Sequence, residues 1–117
     1  MMAPAQFLLA ARGFLGIVPA TEAQRRSAAL MARTGVENAL DDYWSNRKVD
    51  VQWCSRKTQL LCLAELGSPD LAQSVEVAWR TLSDLCHYRP YQITPLETEV
   101  ANAIALADRA VAGLISR

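Results

Sequence analysis

The sequence predicts an all-α fold, an antiparallel bundle of four to five helices in a single domain spanning residues 1–117. Three observations carry that expectation. Helix-start signals recur along the chain at Thr21, at Ser68-Pro69-Asp70 and at Thr94-Pro95-Leu96-Glu97. Two late segments carry apolar seams at alternating steps of four and three, the spacing that packs antiparallel neighbours. Only Val49 and Val51 alternate like a strand, and no second run is present to pair with them.

Each element follows from its local chemistry. Residues 5–17 form a first helix, because Phe7, Leu8, Ala11, Phe14, Leu15 and Val18 repeat at helical spacing and Pro19 ends the run. Arg12 interrupts this apolar stretch and no basic segment precedes Phe7, so a packed amphipathic helix is expected rather than a secretion signal. Thr21 caps the second helix with Gln24 completing a capping box, and that helix extends to about residue 46. Its inner face is Ala29, Ala32, Val36, Leu40 and Tyr43. Gly35 in its middle reads as an imperfection of about 1 kcal/mol against alanine. The segment RKVDVQWCS is a connection, and residues 53–66 form the third helix, ending at Gly67. Ser68 caps the fourth helix, Pro69 suits its first turn and Asp70 meets the positive end of its dipole. The fourth helix runs to about His87, since Pro90 opposes continuation. The fifth starts from a capping box at Thr94 and runs to about residue 115. Its seam is Val100, Ile104, Ala107, Val111 and Leu114; that of the fourth is Leu71, Val75, Ala78, Leu82 and Leu85.

Composition narrows the function. Twelve basic and twelve acidic residues give a formal net charge of zero, so there is no global field to recruit nucleic acid or an anionic membrane. No run is long enough to span a bilayer, and no membrane partner is expected. Cys54, Cys62 and Cys86 are odd in number and lack paired ligand spacing. They are expected to be free thiols in a reducing, cytoplasmic setting, with no metal site. No glycine-rich phosphate loop and no nucleophile elbow occur, and no cofactor is expected. Glu37, Asp41 and Asp42 could hold a cation, although neighbouring carboxylates on a helix are ordinarily solvated.

The segment AWRTLSDLCHYRPYQITPLE holds the most suggestive chemistry. His87 is the sole histidine of the chain, and Arg80 precedes it by seven residues, or about two helical turns. Both fall nearly opposite the seam centred on Ala78, on a polar face reading Glu76, Arg80, Ser83 and Asp84, His87. Such a face is in the first place a solvated flank with ordinary i,i+4 charge pairs. It also contains the parts of a site. Arginine grips phosphate bidentately, and histidine transfers protons near neutral pH. Attack of a ribose 2′-hydroxyl on its phosphodiester needs a base, an acid and a cation. One helix supplies too few such groups, and two copies around a twofold axis would double them. The 51% hydrophobic composition, in a chain this small, also leads us to expect a homodimer.

Arg80-x6-His87 at the end of a helix in a small all-α protein resembles the R-x4–6-H motif of the HEPN superfamily. The resemblance covers the helical architecture and these two residues. It implies a dimer in which the two motifs face a shared cleft. Many members are metal-independent ribonucleases of toxin–antitoxin and phage-defence systems, and others have lost catalysis and act as binding modules. Active members often carry Asn, Asp or His after the arginine, where this chain has Thr81.

Two functional readings follow. In the first the chain is a homodimeric, HEPN-like interaction module that binds a protein partner such as an antitoxin or regulator. In the second it is a ribonuclease, with RNA as substrate, using Arg80 and His87 across a dimer cleft with Ser83 and Asp84 in support. The aromatics Trp44, Tyr88 and Tyr91 would suit a protein interface, or base stacking, if exposed together, and would anchor the neighbouring loop if buried.

Overall fold

The computed structural model describes residues 2–16, 19–87 and 94–116. These form five α-helices and no strand: α1 (Pro4–Leu15), α2 (Glu22–Arg47), α3 (Arg56–Leu66), α4 (Pro69–Cys86) and α5 (Glu97–Ile115). Capping chemistry sets three of the starts. The Thr21 hydroxyl accepts from the Gln24 amide, and the Gln24 side chain accepts from the Thr21 N–H at 2.7 Å, completing the expected box. Ser55 and Ser68 accept from the amides of Thr58 and Leu71.

Two starts lie elsewhere than the local signals indicate. The fifth helix begins at Glu97 and not at Thr94-Pro95. Pro95 is buried. The Glu97 carboxylate accepts from the Ala20 N–H at 2.8 Å. These tertiary contacts move the start two residues along, where the Leu96 N–H donates to Glu99. The third helix begins at Arg56 rather than Trp53. Trp53 instead occupies a turn, 80% exposed, with its indole N–H on the Asp50 carbonyl.

Helix α2 is the axis of the molecule. It packs on α1, α4 and α5; α4 also packs on α5 and α3, and α1 touches α5. Every position predicted for the inner face of α2 is buried, as are Leu71, Val75, Ala78 and Leu82 of α4 and all five seam residues of α5. Leu85 is only partly buried. On α1, Leu8 and Ala11 are buried, whereas Phe14 turns partly outward; Ile17 and Val18 lie outside the described residues.

Gly35 is not an imperfection. A Cβ there would lie 3.0 Å from the Phe7 Cβ and 3.2 Å from the Pro4 carbonyl oxygen. The missing side chain lets α1 cross close to α2. Gly67 is likewise fixed by space. Its φ is −112°, and its N–H closes α3 on the Leu63 carbonyl. A Cβ would meet the Tyr43 hydroxyl at 2.7 Å.

Trp44, expected at an interface if exposed and as an anchor if buried, is an anchor, and the interface alternative is corrected for it. It is fully buried and packs edge-on against the Tyr43 ring, with centroids 5.0 Å apart. Its place on the inner face of α2, next to Tyr43 and Leu40, puts it in the core.

Two stability outcomes follow. Leu82→Ala should lower unfolding free energy by about 2–5 kcal/mol in a denaturant titration, since Leu82 is fully buried. Lys48, the α2 C-cap, has φ 57° and ψ 36°, the left-handed region that burdens a side chain. Lys48→Gly should therefore raise stability by about 0.5–1 kcal/mol in the same titration, after allowing for the greater chain entropy of glycine.

Candidate functional site

The predicted residues on α4 and at its C-cap occupy four different surroundings. Arg80 projects from the outer flank with its side chain 68% exposed and forms an ion pair with Glu76 one turn earlier. Ser83 is half-buried, and its hydroxyl oxygen has no hydrogen-bond partner among the described residues. It therefore faces inward rather than toward a ligand. Asp84 is exposed and lines a cavity of about 460 Å³ at the junction of α4 and α5, with Arg26 and Glu99. His87 caps α4 in an extended conformation and is exposed. Its carbonyl accepts from the Arg26 guanidinium at 2.5 Å, so an arginine of α2 closes the end of α4.

Arg80 and His87 thus share a flank of one helix, about 10 Å apart along its axis. Neither side chain gains a second catalytic group from another element among the described residues. Tyr88 and Tyr91 lie outside the described residues.

A polar cluster that the sequence does not announce ties α2, α3 and α4 together. Arg56, at the first position of α3, forks onto both carboxylate oxygens of Asp41 at 2.7 and 3.2 Å. Its Nε donates to Glu37 at 3.3 Å, and Nη1 also reaches the Gln59 carbonyl oxygen. The other end of Gln59, only 1% exposed, donates to the Cys54 carbonyl. The Trp79 indole N–H on α4 donates to the same Glu37 oxygen. Glu37 and Asp41, expected as solvated carboxylates or a cation site, are therefore occupied by an arginine. Burial pulls the Arg56 pKa down, and the bonds and charges of Asp41 and Glu37 outweigh it, leaving it above its ordinary value. The available signal was position: Glu37 and Asp41 flank Val36 and Leu40 and so border the buried face of α2.

Arg33 extends the cluster toward Cys86, with Nη1 3.5 Å from the sulfur. Burial pushes the Cys86 thiol up, and the nearby Arg33 charge offsets this only in part. This burial favours the neutral thiol over the thiolate. All three cysteines are free and half-buried.

Beside this cluster α3 and α4 diverge around a groove of about 430 Å³. Leu60, Leu61, Ala64, Ala72 and Trp79 give it a mainly apolar lining, and Lys57, Glu76 and Arg80 supply the charges. Leu61 is 67% exposed there, while Leu60 and Leu63 on the same helix are buried. The groove thus takes Arg80 into an environment unlike that of His87. Apolar surface joined to a few charged groups suits the capture of a side-chain-bearing segment. No family model, no curated protein and no solved structure matches the chain.

The Arg56 cluster has a measurable consequence. Arg56→Met should lower stability by about 1–3 kcal/mol in urea, because half-buried Asp41 loses its cation and Glu37 is left with Arg33 alone. The loss should shrink as salt is raised, since screening weakens the wild-type attraction.

Proposed function

We propose that the chain is a small helical interaction module, with antiparallel neighbouring helices and a twofold dimeric state, that binds a protein partner in the α3–α4 groove. The observation that supports this is Leu61. It stands 67% exposed at a concave surface that also contains Trp79, whereas Leu60 and Leu63 of the same helix are buried. Apolar side chains left open at a concave surface gain the most from a partner that removes them from water. In terms of the HEPN resemblance, this corresponds to the members that bind rather than cleave.

The ribonuclease reading has one observation in its favour: Arg80 and His87 are both exposed on one flank, where a second protomer could meet them. Against it, the Ser83 hydroxyl is buried, and neither Arg80 nor His87 gains a second catalytic group from another element among the described residues.

One experiment separates the readings. Wild type, Leu61→Glu, Leu9→Glu and His87→Ala are expressed in the source cells and recovered with whatever they hold. Leu9 is 70% exposed on α1, away from the groove, and serves as the control. Each substitution at an exposed site should change stability by less than about 0.5 kcal/mol. A single partner retained by wild type, Leu9→Glu and His87→Ala but lost from Leu61→Glu is the expected outcome. Identical recovery by all four proteins would remove the groove reading. RNA cleavage by wild type but not by His87→Ala would establish the ribonuclease instead.

A further inference from the structure

We infer that the occupant of the α3–α4 groove is an acidic amphipathic helix of another protein. The inference rests on the groove reading above and specifies the chemistry of the partner.

Shape gives the first part of the argument. The groove runs between two helices, and a third helix laid between two others is the ordinary way such a furrow is filled. The eleven residues of α3 make a wall of about 16 Å, enough for roughly three turns. A helix of that length presents apolar anchors at i, i+4 and i+7, matched here to Leu61, Trp79 and the alanines between them.

Charge gives the second. Each wall brings one cation, Lys57 from α3 and Arg80 from α4. Glu76 sets one carboxylate against these two cations, so the lining keeps a net positive charge. Lys57 has no ion pair among the described residues, and it lies in the first turn of α3, where the helix dipole adds positive potential. A partner with lysines or arginines flanking its apolar stripe would meet this net positive charge and the unpaired Lys57. One with glutamates or aspartates meets their complement. The Glu76–Arg80 pair does not hold Arg80 back, because its side chains are 43% and 68% exposed and such pairs contribute little.

A second copy of this chain fits less well. Its α1 offers Leu9, but its one charged residue is Arg12, already paired with Asp108, so it brings no carboxylate of its own to Lys57. The exposed face of its α5 has Ala101, Ala105 and Ala112 and a single large apolar side chain, Ile115, at its end, so it lacks a stripe of anchors to fill the groove. Nucleic acid would find two cations and an apolar lining where it needs a row of phosphate contacts.

The test uses three fluorescein-labelled synthetic peptides of about four helical turns. The first has leucines at i, i+4 and i+7 and glutamates on both flanks. The second has lysine at every glutamate. The third keeps the glutamates and scatters the leucines around the helix. Binding is followed by fluorescence anisotropy with wild type, Leu61→Glu, and the double variant Lys57→Glu/Arg80→Glu, each verified as folded by circular dichroism. Wild type should bind the glutamate peptide at least about tenfold more tightly than the lysine peptide, and the preference should shrink with salt. The double variant should invert the preference, and Leu61→Glu should bind neither. Equal affinity for both charged peptides, lost in Leu61→Glu, would overturn the acidic partner while leaving the groove reading intact. Absence of binding by every peptide up to about 1 mM, or binding untouched by Leu61→Glu, would overturn both. Self-association abolished by Leu61→Glu would assign the groove to a second copy and overturn the inference. Capture of a single-stranded RNA oligonucleotide through Lys57 and Arg80 would do the same in favour of RNA.

Discussion

The close crossing of α1 over α2 at Gly35 is the constraint on which the rest of the packing depends. Along the first half of α2 the buried positions are Ala28, Ala29, Ala32 and Gly35, all small. With so little side chain between them, helix axes approach near the lower end of the usual range. Farther along, Leu40, Tyr43 and Trp44 take over and demand more room. The side-chain bulk that α2 presents to its neighbours therefore tapers from one end to the other. Because interiors are packed to near-crystalline density, α1, α4 and α5 have little freedom to sit otherwise once that taper is set.

Where the taper opens, apolar packing alone no longer positions the chain, and charge takes over. α3 packs against α4 and makes no close helix–helix contact with α2. What joins it to α2 is the fork of Arg56 on Asp41 and Glu37, shared with Trp79 of α4. An arginine is suited to this position because its planar donors fix both distance and orientation, which a lysine would not. Half-buried ion pairs add little net stability over apolar contacts, but they penalise misplacement strongly.

The helices were legible wherever the signal was local or periodic. Leu71, Val75, Ala78 and Leu82 announce their seam by spacing alone, and Thr21, Gln24 and Ser68 act on backbone groups within three residues. Legibility failed where a distant contact decided the matter. Thr94-Pro95 carries a sound local start signal, and Glu97 overrides it by reaching Ala20 across the fold. Gly35 and Trp44 look anomalous or available in sequence because nothing local shows what lies against them. For the same reason Arg56 passed unnoticed: its partners are fifteen and nineteen residues away. Of the candidate site, Arg80 was legible as an exposed polar residue. The groove beside it was not, because a concavity belongs to two helices at once and leaves no periodic trace in either.

The attachment of α3 has a consequence for motion. A helix buried through Gln59, Leu60 and Leu63, and packed on a single neighbour, is bound by fewer contacts than any element touching α2. It is the natural first unit to detach in partial unfolding, while α2, α4 and α5 stay assembled. Its backbone amides would then exchange with solvent hydrogen through an opening that never passes through the globally unfolded chain. A molecule seated between α3 and α4 bridges that unit to the rest, so it must slow this exchange along the whole of α3, including turns it does not touch.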